Sequence, residues 1–240
     1  MKIGDHQRRF LTAEWKNLVM LNYAVDGSLL ERFVPPGTML DKFEGKAYVS
    51  LVGFEFNRAR LFGISIPFHQ AFEEVNLRFY VRRAEKRGVV FFRELVPKSA
   101  VAAIARFAFS ENYSCVQMSH KIVSRAGSDS VEARFEWGSG VDRCSIEVEA
   151  EGPPFCPQDG SLSEFITEHY WGYAAKDAGC LEYEVEHPRW MVRNAKRAEF
   201  AGDARKHYGA EFAKILKREP ESAFLAAGPR VTVFKGTRIE

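Results

Sequence analysis

Between Phe72 and Ser99 the chain reads FEEVNLRFYVRRAEKRGVVFFRELVPKS, which sets Glu74, Arg78, Arg93, Glu94 and Lys98 on or beside strands that are otherwise apolar. A charge removed from water needs a partner or a change of protonation. The cluster therefore marks either a buried ion network that fixes strand register or a polar patch inside a cavity. Adjacent strand residues face opposite ways, so Arg93 and Glu94 cannot pair with each other, and Glu74 is the candidate partner of Arg93. Lys98 follows Pro97 and is expected in the first turn of a helix, where the positive end of the dipole disfavours an ammonium. A neutral amine there can attack a ketone and form a Schiff base. A solvated first-turn lysine is the plain alternative.

A second candidate is Glu168-His-Tyr-Trp-Gly-Tyr173, which gathers an acid, an imidazole and three aromatic rings. His169, Tyr170 and Trp171 suit the lining of a pocket for a planar or carboxylate ligand, and suit a core seam equally well. His69 with Glu73, and His187 with Glu186, are too isolated to hold a metal, and no HExxH spacing occurs. No metal and no cofactor are expected. The chain has no GxSxG elbow, P-loop or Rossmann fingerprint.

The whole chain must supply elements that bring these groups together. Its 240 residues suffice for one large domain, and 46% apolar with 28% charged residues is a globular profile. Twenty phenylalanines point to a phenylalanine-rich core. The net charge of +2 is too even for a nucleic-acid or membrane-surface protein, and the basic knot Arg82–Arg87 is explained as a charged hairpin tip. No apolar run reaches the roughly 18 residues of a membrane helix. The start MKIGDHQRRF has no apolar signal core, and Cys115, Cys144, Cys156 and Cys180 have no paired short spacing. Four reduced thiols in the cytoplasm are expected, with a small-molecule ligand as partner and self-association left open.

Along the chain, Leu18–Val25 reads as a strand, Asp26 caps a short helix through Phe33, and Pro35-Pro36-Gly37 turns. Tyr48–Phe56 is apolar on both faces, as in a central strand, and 57–69 reads as a loop. Phe72–Val81 and Gly88–Val96 form a hairpin, followed by a helix over Lys98–Phe109. Val131–Trp137 alternates wet and dry and turns through Gly138-Ser139-Gly140 into Cys144–Val148. Ser161 and Glu164 suggest a capping box for a helix through Tyr170, and Leu181–Glu186 is a strand. Asp203 caps a helix to about Lys217, and Arg230–Phe234 closes the series. These elements describe one α+β domain over residues 1–240 enclosing a pocket.

Seven blocks in order, EWKNLVMLNYAV (14–25), VPPGTMLD (34–41), AYVSLVGF (47–54), FEEVNLRFYVRR (72–83), GVVFFRELVPK (88–98), EHYWGY (168–173) and VEHPRW (185–190), resemble the YqjF-like family of uncharacterised bacterial proteins. That family is similar to the acetoacetate decarboxylase-like superfamily. The resemblance implies a closed, strongly bent antiparallel barrel with a ligand cavity and a few flanking helices. It also implies that Lys98, after Arg93-Glu94 and Pro97, stands at the position of the Schiff-base lysine, and Glu74 at that of a catalytic glutamate. Ser99 replaces the second lysine of the decarboxylase pattern, Ser50 falls near one of its acidic positions, and its substrate-binding arginine has no clear N-terminal match. Two functions follow as expectations. In one, Lys98 and Glu74 catalyse lyase-type chemistry on a keto compound, with Arg78, Arg93, Glu94, His169, Tyr170 and Trp171 binding it. In the other, the cavity binds a small molecule or partner without catalysis, and the ion network is structural. A filled barrel with no cavity is the third outcome.

Overall fold

One long strand, β1 (Arg9–Val25), serves two sheets, and its 17 residues contain no Pro or Gly to interrupt the ladder. The computed structural model describes residues 8–239 apart from 125, 126, 128, 178 and 229, so the N-terminal expectation falls largely on residues 1–7, outside the described residues. Asp26 Oδ1 accepts the Ser28 N–H at 2.9 Å and opens α1 (Ser28–Glu31), which stops short of Phe33. β2 (Met39–Leu40), β3 (Ala47–Leu61) and β4 (Ile64–Ser65) follow, then the hairpin of β5 (Phe72–Arg83) and β6 (Lys86–Val96). After α2 (Ser99–Phe109), β7 (Tyr113–Cys115) returns beside β6. β8 (Met118–Ser124), β9 (Val131–Trp137) and β10 (Cys144–Ala150) form a meander. The remaining elements are α3 (Leu162–Thr167), β11 (Trp171–Lys176), β12 (Gly179–Glu186), β13 (Met191–Gly202), α4 (Arg205–Leu216), β14 (Ser222–Ala227), β15 (Arg230–Phe234) and β16 (Thr237–Ile239).

Strands β3, β5, β6, β11, β12, β15 and β1 hydrogen-bond in that order, and β1 pairs back onto β3, closing a seven-stranded barrel. The barrel is antiparallel except where β11 meets β6 in parallel, Trp171 opposite Gly88. The first half of β1 pairs with β15; its second half, Leu18–Asn22, pairs with β14. From β14 a second sheet continues through β13, β10, β9 and β8 and lies against the outside of the barrel.

The chain thus builds two interiors. Between the sheets, Leu51, Leu77 and Phe79 of the barrel wall pack against Phe135, Trp137 and Ile146, with Phe212 and Leu216 of α4 closing one end. Gly53 permits this approach, since a Cβ there would lie 2.7 Å from Ile146 Cδ1. Inside the barrel, Met20, Val52, Phe54, Tyr80 and Trp190 form the second cluster.

Several boundaries differ from the sequence expectation. β1 starts at Arg9 and β3 runs to Leu61, because Leu11 and Leu61 pair on these neighbouring strands in a stretch that lacks a clean period of two. α2 starts at Ser99, leaving Lys98 as an extended N-cap residue with φ −112° rather than in the first turn. Ser161 Oγ accepts the Glu164 N–H at 3.2 Å, but Glu164 reaches Arg87 at 3.1 Å instead of completing the capping box, and α3 ends before Tyr170. Asp203 Oδ1 accepts the Arg205 N–H at 3.0 Å, as expected of a cap. Strands β8 and β13 were not anticipated; each carries many exposed side chains and little apolar alternation. All four cysteines are unbridged. Among the described residues no helix is long and apolar enough to cross a membrane.

Candidate active site

Polar side chains enter the barrel in register with its strands. On β5, Val75, Leu77, Phe79 and Val81 face the between-sheet core, so Glu74, Asn76, Arg78 and Tyr80 face the barrel interior. On β6 the register shifts by one at Phe92: Arg78 pairs with Phe91, and Leu77 pairs with Arg93. This bulge puts Phe91 and Glu94, three positions apart, on the same inner face. After α2, Ser110 takes a left-handed conformation (φ 56°) and turns the chain back along β6. The Glu94 N–H donates to Asn112 O at 3.1 Å, and Asn112 Nδ2 donates to Phe92 O at 2.8 Å, which delivers Glu111 and Tyr113 beside Glu94. β12 supplies Tyr183.

The result is a cavity of about 190 Å³ whose walls are mainly apolar, among them Trp15, Phe54, Phe56, Val89, Phe91 and Trp190. Three carboxyl groups meet at one end of it: Glu74 and Glu94, each 3% exposed, and Glu111, 6% exposed. Asn76 Nδ2 donates to Glu74 Oε1 at 3.0 Å, Tyr113 Oη donates to Glu74 Oε2 at 3.0 Å, and Tyr183 Oη donates to Glu111 Oε1 at 2.8 Å. Burial dominates their protonation. Loss of water pushes Glu74 up to about 7 against the opposing pull of Asn76, Tyr113 and Arg78. It pushes Glu111 up to about 8, and it raises Glu94 well above the ordinary carboxylate range, with help from the charges of Glu111 and Glu74. The Tyr113 and Tyr183 hydroxyls are raised for the same reasons, burial first and then the carboxylates.

Arg78 is the cation of this group. Its guanidinium lies 5.7 Å from the Tyr80 ring centre, and its Nε is buried without a partner. His169 packs on Tyr80 with ring centres 4.6 Å apart, and both of its ring nitrogens are buried without a hydrogen bond; Asp41 Oδ2 stands 3.8 Å from Nε2. Burial lowers His169 to about 4, so the imidazole is neutral. Unpartnered buried atoms are costly in a finished interior. Here Asn76 Oδ1, Arg78 Nε, Glu94 Oε2, the His169 nitrogens and Trp15 Nε1 all belong to residues lining one cavity.

Of the residues singled out in the sequence, Glu74, Arg78, Glu94, His169 and Trp171 line this cavity. Arg93, Lys98 and Tyr170 do not. Arg93 sits opposite Leu77 on the outer face of the barrel wall, where its charge acts on Tyr208 of α4, so Glu74 is bonded by Asn76 and Tyr113 instead. Lys98 is half-buried and makes no capping bond, while Ala100, Val101 and Ile104 of the same helix reach the cavity. Tyr170 donates to Glu168 and stacks on His187 at 4.5 Å, facing a shallow surface depression with Arg189. Glu111, Tyr113, Tyr183 and Asn76 were missed. Asn76 was readable from its spacing of two from Glu74 and Arg78; Glu111 follows a helix and carries no local signal.

The family model for DUF2071, described as an uncharacterized conserved protein, matches residues 12–230. Uncharacterized protein YqjF of Bacillus subtilis is 28% identical over 191 residues, 76% of this chain and 74% of that protein. Among solved structures, the enduracididine biosynthesis enzyme MppR complexed with pyruvate is similar over 100% of this chain and 93% of its own, with TM-score 0.70 and 13% identity. An acetoacetate decarboxylase-like enzyme from Sphingomonas wittichii covers 97% and 94% with TM-score 0.70 and 10% identity. Acetoacetate decarboxylase from Legionella pneumophila covers 97% and 86% with TM-score 0.66 and 13% identity. At these identities the likeness is one of fold, and the fold is that of the acetoacetate decarboxylase-like proteins.

Proposed function

We propose that this chain, which belongs to the DUF2071 family, binds a small organic molecule with a keto or carboxylate group inside its barrel, and that Glu74 exchanges a proton with it. The observation that carries this reading is the convergence of three buried carboxyl groups and Arg78 on one apolar cavity that leaves polar atoms unpartnered. Arg78 offers the charge-assisted donor that a carboxylate or polarised carbonyl needs. Trp15, Phe54 and Trp190 provide an apolar wall for the body of the ligand. A carboxyl group held at about 7 is half ionised at neutral pH, which suits it to give and take a proton. The pyruvate complex of the structurally similar biosynthetic enzyme supports a keto acid as the ligand class.

Titration calorimetry with pyruvate, phenylpyruvate and phenylpropionate tests this. Binding of at least one, weakened roughly tenfold or more by Arg78→Leu, supports it through loss of one charge-assisted contact. Absence of binding by a folded protein to all three overturns it.

Schiff-base chemistry at Lys98 is the second reading, favoured by the position of Lys98 at the start of the helix whose Ala100 and Val101 line the cavity. Borohydride with phenylpyruvate would then add the reduced adduct mass at Lys98 and nowhere else. No added mass in a protein that binds the keto acid removes this reading and leaves the first intact.

A further inference from the structure

The carboxyl groups outnumber the cations in this cavity, and Glu94 and Glu111 have no part in recognising a carboxylate. Glu94 Oε2 is an acceptor with no donor on a residue 3% exposed that lines the cavity, and Asn76 Oδ1, on a residue 2% exposed, is a second. Both sit on adjacent strands at paired positions, Asn76 opposite Glu94. Tyr183 donates its single hydroxyl proton to Glu111, and Tyr113 donates to Glu74 while also acting on Glu94, so one hydroxyl serves two carboxyl groups. The facing helix α2 brings only Ala100, Val101, Ile104, Ala105 and Phe109 to the cavity, so no donor comes from that side. What is missing at this end is a group with several N–H donors.

We infer that the acidic end of the cavity is an ammonium subsite: the ligand carries an amine held by Glu94, Asn76 Oδ1 and Glu111, in addition to the keto or carboxylate group at Arg78. The substrate class is thus an amino-carboxylic or amino-keto compound with an apolar body. An ammonium with three donors satisfies acceptors that a water-free interior leaves open, and its charge offsets those of carboxylates crowded in low dielectric. The counterpart without an ammonium leaves those carboxyl groups protonated. This inference rests on the reading of the barrel as a ligand cavity and adds the chemistry of one end.

The groups facing the subsite fix its pH dependence: Glu74 and Arg78 from β5, Glu94 from β6, Glu111 and Tyr113 from the segment after α2, and Tyr183 from β12. β1 contributes apolar side chains and Trp15, β3 contributes apolar side chains and Arg60, and His69, His169 and His187 line the rest of the cavity. Glu74 is raised to about 7 and Glu111 to about 8 by burial, so at pH 6 both are mainly protonated and at pH 8.5 mainly ionised. An ammonium favours the ionised forms, so its binding tightens as pH rises and releases protons; a carboxylate ligand shows the opposite slope.

Three isosteric probes test this on the intact chain by calorimetry at pH 6 and pH 8.5: 3-phenylpropylamine, 3-phenylpropanol and 3-phenylpropionate. The expected result is amine binding at least tenfold tighter than alcohol binding at pH 8.5, weaker at pH 6, and lost in Glu94→Gln and Glu111→Gln. Equal or weaker binding of the amine, with the alcohol or carboxylate still bound, overturns the ammonium subsite and spares the cavity reading. Binding of none of the three to the folded protein overturns both. Because the unmodified chain gives the decisive comparison, a variant that fails to fold does not remove the test.

Discussion

The two interiors of this protein are built from opposite faces of the same strands and finish differently. Between the sheets, Leu77, Phe79, Phe135, Trp137 and Ile146 are buried to 1% exposure or less. The only unpartnered buried polar side-chain atoms on that side, among the described residues, are Trp137 Nε1 and Tyr208 Oη. Inside the barrel the walls stop short of filling the space, and three carboxyl groups, two arginines and three imidazoles line it. A buried acid bordering the filled interior is paired: Glu182 is met by Lys86 at 2.6 Å and by Tyr173, which belongs to that interior, at 3.0 Å. Glu94 is as deeply buried and lacks such a cation. Interiors that exist only for stability are filled and satisfied; the hollow and unsatisfied one is the interior that the proposed function assigns to a ligand.

Truncation separates the two most strongly. Phe135→Ala removes a fully buried ring from the filled interior and should cost about 3–5 kcal/mol by the usual cavity penalty, read as a fall in the denaturant midpoint. Phe91→Ala removes the same ring from a half-buried site whose neighbour is already empty space, and should cost about 1–2 kcal/mol. Equal losses would mean that the barrel interior is packed as tightly as the other and that the contrast is false.

The acids give a smaller effect with a definite sign. Burial raises Glu74 to about 7 and Glu111 to about 8 from 4.5, so the folded chain holds protons that the unfolded chain has released. Their favourable contribution is complete below the ordinary carboxylate range and is lost as pH rises through the folded values. His169 and His187, lowered by burial, act in the other direction, and their opposing contribution fades as pH passes the ordinary imidazole value of about 6.5. Stability should therefore fall between pH 6.5 and 8.5, on the order of 2–3 kcal/mol or roughly 5–10 °C in Tm. Glu111→Gln should flatten that slope, whereas Glu182→Gln should leave it in place. A flat profile in the parent chain would show that the carboxyl groups are hydrated and the cavity wet.

How much of this was legible depends on whether the signal was local. The period of two in β5 could have separated Glu74, Asn76, Arg78 and Tyr80 from Val75, Leu77 and Phe79, yet the sequence reading picked out only Glu74 and Arg78. Which face was the cavity was less obvious, because a strand with one polar face ordinarily turns that face to water. Here the polar face is the interior one, and only barrel closure through β1 and β3 makes it so. The bulge at Phe92, which aligns Phe91 with Glu94, is a property of pairing and is silent in the sequence. Glu111 joins the site through the parallel return of β7 beside β6, a contact between segments that no spacing rule connects.

Lys98 gives the smallest expected effect and the sharpest division between likeness of motif and likeness of chemistry. The resemblance put it at the nucleophile's position, yet the chain leaves β6 at Val96, and Lys98 stands at the N-cap position of α2 while the helix turns its Ala and Ile side chains to the cavity. Its neighbour in the motif behaves oppositely: Glu94 stays on the strand and points inward. Lys98→Met keeps the length and apolar stem of a half-buried side chain that makes no capping bond, so stability should change by less than about 0.5 kcal/mol. Affinity for phenylpropionate should stay within roughly twofold, because Arg78 supplies the charge at the cavity. A tenfold or larger loss of affinity would place the amine at the ligand after all, and would return the motif's chemistry to this barrel.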